Sequence, residues 1–144
     1  MRETRGFNYM FNLNDKLEKS RVRQFSPITL AFIGDAVYSL FIREKLVFKA
    51  DDKGAVLNKK TAEIVCAKAQ ADYIESIMDI LTDDEKDVYR RARNAKKGTR
   101  AKSASVSEYN KSTGFEAVVG YLYMSGEIAR LNYLLNLKDD NDEN

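Results

Sequence analysis

PITLAFIGDAVYSLFIREKLVF, Pro27 to Phe48, is the stretch that decides the fold. Its apolar residues run from Ile28 and Leu30 through Phe32, Ile33, Val37, Leu40, Phe41 and Ile42 to Leu46 and Val47, too many for a single helical stripe. A helix apolar on all sides is a buried one, so the reading is a central, enclosed helix. Ser26 followed by Pro27 supplies its start, because proline lacks the amide hydrogen that the first turn would leave unpaired. One carboxylate, Asp35, sits in the middle. An ionised carboxylate among apolar side chains loses several kcal/mol of hydration unless a cation faces it.

Working outward, Thr113 to Met124, TGFEAVVGYLYM, repeats the pattern: strongly apolar, with one lone acid, Glu116. Two such helices brought together would hold a hard divalent cation between their carboxylates. Mg2+ takes oxygen ligands and keeps several waters, and beside a phosphodiester it would polarise the phosphoryl oxygen and activate water. The plainer alternative is that each acid pairs with a lysine or arginine, or lies partly exposed on its helix. Spacing alone leaves both readings open.

Composition narrows the chemistry. In 144 residues there is one proline, there are seven glycines, and 44% of the chain is hydrophobic, which predicts one mostly helical domain with short connections. The longest uncharged run, Gln24 to Gly34, falls short of the ~18 apolar residues of a membrane span, and no signal-peptide core opens the chain. A soluble, cytoplasmic protein with no membrane partner is expected. Cys66 is alone, which excludes an internal disulfide and predicts a small buried thiol. Histidine is absent, excluding imidazole-based triads and the zinc-protease helix motif. Carboxylates and a bound ion are the tools that remain.

Taken in order, residues 1–25 read as an extension in which the charge-rich segment Asp15 to Arg23 forms a short helix with Leu17 and Val22 inward. A loop is expected over Lys49 to Gly54, then an amphipathic helix from about Ala55 to Leu81, broken near its start. Its apolar positions are Val65, Ala69, Tyr73, Ile77 and Leu81; Gln70 falls among the polar ones, and Lys59, Lys60 and Lys68 form a basic edge. Thr82 to Glu85 is a capping box opening a surface helix that ends near Ala95, with Val88, Tyr89 and Ala92 as its apolar contacts. Ser105 to Glu108 is a second capping box, opening the helix of Glu116; Gly126 ends it, and a short last helix spans Glu127 to Leu137. The final residues, DDNDEN, hold four of the 22 acids and are expected to be disordered. Domain boundaries therefore fall at 26–138, flanked by the extension and the tail 139–144.

The charge left in the body is concentrated. Arg90 to Lys102, RRARNAKKGTRAK, has seven bases in thirteen residues and no acid. A solvated surface is one reading; the other is a phosphate contact, with long side chains leaving a helix end and a glycine-containing loop. Aromatic residues are not interleaved, which favours a duplex backbone over stacked single-strand bases.

Three segments together resemble the ribonuclease III domain, most closely its mini-ribonuclease III group in bacteria: IGDAV at Ile33 to Val37, RNAKKGT at Arg93 to Thr99 and FEAVVGYL at Phe115 to Leu122. The resemblance covers about Pro27 to Leu137 and ends without a double-stranded RNA-binding domain, as in the mini group. It implies an all-α, ribonuclease III-type homodimer that cuts double-stranded RNA with Mg2+ and, in that group, matures the precursor of large-subunit (23S) ribosomal RNA. By motif, Asp35 and Glu116 are the catalytic and metal-binding residues. The segment from Arg93 resembles the group's RNA-engaging loop, marking Arg93, Asn94, Lys96 and Lys97 as RNA contacts. Arg91, Arg100 and Lys102 from the same basic run, with Lys60 and Lys68, complete the candidate RNA-binding set. Full-length enzymes of the family carry two further acids where this chain has Ala31 and Thr113, which implies fewer direct ligands and weak Mg2+ affinity. The rival from another class is a non-catalytic RNA- or ribosome-binding module that keeps the fold.

Overall fold

A computed structural model describes residues 17–98 and 104–138. Among them are seven α-helices and no strand: α1 (Lys19–Val22), α2 (Pro27–Lys49), α3 (Gly54–Val65), α4 (Ala67–Ser76), α5 (Asp83–Asn94), α6 (Val106–Met124) and α7 (Ile128–Leu135), with a 3-10 turn at Met78–Ile80. The all-α expectation holds. Arg100, Lys102, residues 1–16 and the acidic tail lie outside the described residues.

Local chemistry sets most helix ends where the sequence places them. The Ser26 hydroxyl accepts from the Ile28 amide at 3.2 Å, with Pro27 in the first turn. Both capping boxes form, Thr82 with Glu85 and Ser105 with Glu108, each side chain bonding the other residue's backbone amide. Gly126 has φ 73, the left-handed conformation open to glycine, and turns the chain from α6 into α7. Val22 of α1 is fully buried, and Leu17, just ahead of that helix, packs against the core.

α6 is the axis, and it is almost wholly enclosed from Ser112 to Leu122, with α2, α4 and α5 packed around it. Phe115 is the hub: the ring of Tyr38 from α2 meets it edge-on at 4.8 Å and that of Tyr73 from α4 at 5.8 Å. Where α2 crosses α6 the two backbones touch. A Cβ on Gly34 would lie 1.7 Å from the Glu116 carbonyl oxygen, and one on Gly120 would lie 2.0 Å from that of Leu30. Neither position accepts any side chain, so this pair of glycines fixes the crossing.

Three expectations need correction. α2 is not enclosed: Phe32 is 80% and Phe48 83% exposed, and Leu40 and Val47 are also exposed, because α6 and α3 cover only part of its circumference. The helix expected over Ala55 to Leu81 breaks in its middle, at Cys66, whose ψ of 157 is extended; the bend directs α3 onto α2 and α4 onto α6. Sitting at that bend, Cys66 is exposed rather than buried.

Candidate active site

The glycine crossing decides what faces what. Asp35 follows Gly34 on α2, and Gly34 abuts the Glu116 carbonyl on α6, so two acids 81 positions apart in the chain arrive at the same point. Their carboxyl groups hydrogen-bond each other. They open into one cleft of about 420 Å3, walled by Ala31 and Phe32 of α2, by Tyr109 and Thr113 of α6, and by Lys96, Lys97 and Gly98 after α5.

The two acids are not equivalent. Asp35 is exposed at the mouth, which corrects the picture of an acid sealed among apolar neighbours, and Glu116 lies deeper. Burial, together with the hydrogen bond and the charge of Asp35, pushes the Glu116 carboxyl up to about 9, against a partial opposing pull from the Gln70 side chain. Among the described residues no lysine or arginine forms an ion pair with either acid. The described residues thus give neither acid the lysine or arginine partner that the plainer alternative supposed.

The donor set fits a hard divalent cation. Two carboxyl groups, one kept protonated by burial and by its acidic neighbour, offer oxygen ligands on one side of an open cleft. Among the described residues no group of three or more Asp, Glu, Cys or His gathers, so an ion held by these two acids would complete its shell with water or phosphate oxygens. Ala31 and Thr113 both line the cleft, and the Thr113 hydroxyl donates to the Tyr109 carbonyl at 2.9 Å, leaving its hydrogen committed to the helix.

The candidate RNA contacts divide. Lys96 is exposed on the cleft wall. Lys97 lines the same wall, but its ammonium donates to the Arg93 and Ala95 carbonyls at 3.0 and 2.7 Å, closing the end of α5, and burial lowers its pKa. Arg93 lies over the Tyr89 ring, 5.5 Å from its centroid, and its Nε donates to Asn94. Arg91 donates to the Arg23 carbonyl at 2.9 Å and so anchors the segment before α2. Lys60 and Lys68 stand outside the cleft, paired with Asp52 at 2.9 Å and Asp72 at 3.1 Å. Of the described candidates, the cleft gathers Asp35, Glu116, Lys96 and Lys97.

Sequence reasoning passed over Gly34, Gly120 and Gln70. The glycines did carry a signal, since glycine inside a helix costs about 1 kcal/mol relative to alanine and its persistence there points to a close approach. Gln70 carried none. It reads as one more polar residue of an amphipathic helix, yet it is 2% exposed and its side chain hydrogen-bonds Glu116.

Residues 28–127 match the model of the Ribonuclease III domain. The chain is 49% identical over 121 residues to a mini-ribonuclease 3 of Thermoanaerobacter sp. (strain X514), spanning 84% of this chain and 85% of that one. It is 44% identical over 117 residues to a mini-ribonuclease 3 of Streptococcus pneumoniae, covering 80% and 91%. An X-ray structure of a Fusobacterium nucleatum protein superposes with a TM-score of 0.75 at 31% identity, over 80% of this chain and 93% of that one.

Proposed function

This chain belongs to the ribonuclease III domain family and is an endoribonuclease, and on that premise we propose that it hydrolyses double-stranded RNA with Mg2+ between Asp35 and Glu116. The observation that carries this reading is the convergence of two carboxylates, with no basic partner among the described residues, in a cleft one wall of which is basic. When bound there, Mg2+ supplies Lewis-acid polarisation of the scissile phosphate and an activated water. Asp35 and Glu116 would hold the ion, Glu116 releasing its proton to solvent as it became a ligand. Lys96 meets a neighbouring phosphate, and Lys97 fixes the loop that carries it.

A-form RNA is read through shape, phosphates and 2′-hydroxyls, which suits an open cleft with lysines on its wall. The substrate we assign is the precursor of large-subunit (23S) ribosomal RNA, following the mini group that the three motifs resemble. The working form is a homodimer. Its support is the uncovered apolar length of α2, where Leu40, with Val37, Phe41 and Tyr123, borders a groove against α7. A twofold contact would bury that face on both copies at once. No helix among the described residues is long and apolar enough to cross a membrane.

The test is cleavage of duplex RNA with Mg2+ or with EDTA. Cutting that stops on chelation and returns with added Mg2+ is expected; cutting that continues in EDTA overturns the metal reading, and binding without cutting under any divalent ion overturns the catalytic one. Sedimentation of the protein and of Leu40→Asp tests the assembly: the first is expected to run as a dimer, the second as a monomer.

A further inference from the structure

Glu116 is held from a third helix. Gln70 lies on α4, which packs against α6, and it is almost completely enclosed. Its neighbours Ala69 and Ala71 are small, and two residues on either side the chain offers Lys68 and Asp72, which pair with each other outside. A buried primary amide needs partners for its hydrogens and its oxygen, since leaving them unmet costs about 1–3 kcal/mol each. Among the described residues, the Glu116 carboxyl is a neighbour of the Gln70 side chain, which pulls its pKa down against burial. The Glu116 carboxyl thus interacts with Gln70 of α4 as well as with Asp35 of α2, and it also lines the cleft.

We propose that Gln70 is a positioning residue for the metal site: its amide donates to one Glu116 oxygen, fixes the carboxylate's rotation, and so presents the other oxygen to the ion beside Asp35. The inference rests on the metal reading above and deepens it. Gln70 touches neither ion nor RNA. A neutral amide suits this role better than lysine or arginine, which would also orient Glu116 but would neutralise the charge that draws the cation. Outer partners of this kind commonly set metal affinity by about ten- to a hundredfold.

The experiment measures Mn2+ binding to the full chain without RNA, by calorimetry, alongside duplex cleavage at graded Mg2+. Glu116→Gln in the parent is the control: if the parent's Mn2+ binding survives that change, the metal reading itself fails. Given a parent that binds through Glu116, Gln70→Leu is expected to weaken Mn2+ binding about tenfold or more. It is also expected to raise the Mg2+ needed for half-maximal cutting by a similar factor, with cutting recovered at high Mg2+. Duplex binding in EDTA is expected to stay the same. An unchanged Mn2+ affinity in a folded Gln70→Leu overturns the assignment. Should that variant not fold, Gln70→Glu keeps the shape but, once ionised, cannot donate to Glu116: a smaller Mn2+-induced rise in Tm than the parent's supports the inference, and an equal or larger rise overturns it.

Discussion

Two glutamates on neighbouring helices meet burial in opposite ways. Glu85, on α5, is 2% exposed, yet the Arg130 guanidinium grips both its oxygens at 2.9 Å, and the Thr82 amide donates to one of them at 2.9 Å. Burial alone would raise its pKa, but those hydrogen bonds and the Arg130 charge hold it below the ordinary value. Glu116, on α6, has a second acid for a neighbour and a neutral amide behind it, and its pKa rises to about 9. Same residue type, opposite shifts: Glu85 is the less exposed of the two and yet its pKa falls, so the direction is set by the groups the surrounding chain supplies. Where a guanidinium and an amide meet the acid it stays charged and fastens helices together, and where a second acid meets it the proton is kept.

The comparison breaks most decisively at the cleft. Asp35→Asn and Glu116→Gln are each expected to lower single-turnover cleavage of duplex RNA by at least about a thousandfold, or roughly 4 kcal/mol of barrier, while duplex binding persists. Normal cutting by either variant would remove that residue from the site. Arg130→Ala attacks the other glutamate by stranding a buried charge, and urea unfolding is expected to show a loss of about 3 kcal/mol with cleavage per folded molecule unchanged.

pH sharpens the contrast because the two groups bend stability in opposite directions. In metal-free protein the folded Glu116 keeps its proton where the unfolded chain, near 4.5, has lost it. The native state then binds more protons between about 4.5 and about 9, and stability falls as pH rises through that window, at most ~1.4 kcal/mol per pH unit. Unfolding in EDTA at a series of pH values is expected to show this decline, and Glu116→Gln or added Mg2+ to flatten it. Glu85 works the other way: its folded pKa is depressed, so its contribution is complete above the unfolded value and is lost as pH falls through the folded one. Arg130→Ala should therefore flatten the acid limb alone. The smallest effect is at the rim, where Lys96→Ala is expected to weaken duplex binding a few-fold and to reduce the salt slope by about one, read from binding at graded salt. An unchanged slope would take Lys96 off the phosphate backbone.

The sequence made plain what depends on near neighbours. Ser26 with Pro27, the two capping boxes and Gly126 act over four residues or fewer, so their geometry can be read from the chain itself. The motif acids could be read as a pair, and the structure brings them to one cleft. Hidden from such reading were features set by other helices. The bend at Cys66 exists because α3 and α4 answer to different partners, and Arg130 meets Glu85 across 45 positions. Gln70 looked like a surface residue because amphipathic spacing cannot see that α6 lies on its side of the helix. The exposed length of α2 was misjudged for a related reason: hydrophobicity says that a face seeks cover and is silent on whether the same chain provides it.

The contact of backbone on backbone at Gly34 and Gly120 has one more outcome. Side chains elsewhere in the interior can be exchanged, and their neighbours will shuffle to fill the gap, without altering how far apart the two acid-bearing rods stand, because peptide groups rather than packed hydrocarbon serve as the spacer. The spacing of the two acids is thus gauged by the least compressible part of the molecule. A single methyl group at either glycine would wedge the rods open and leave each acid intact, out of the other's reach.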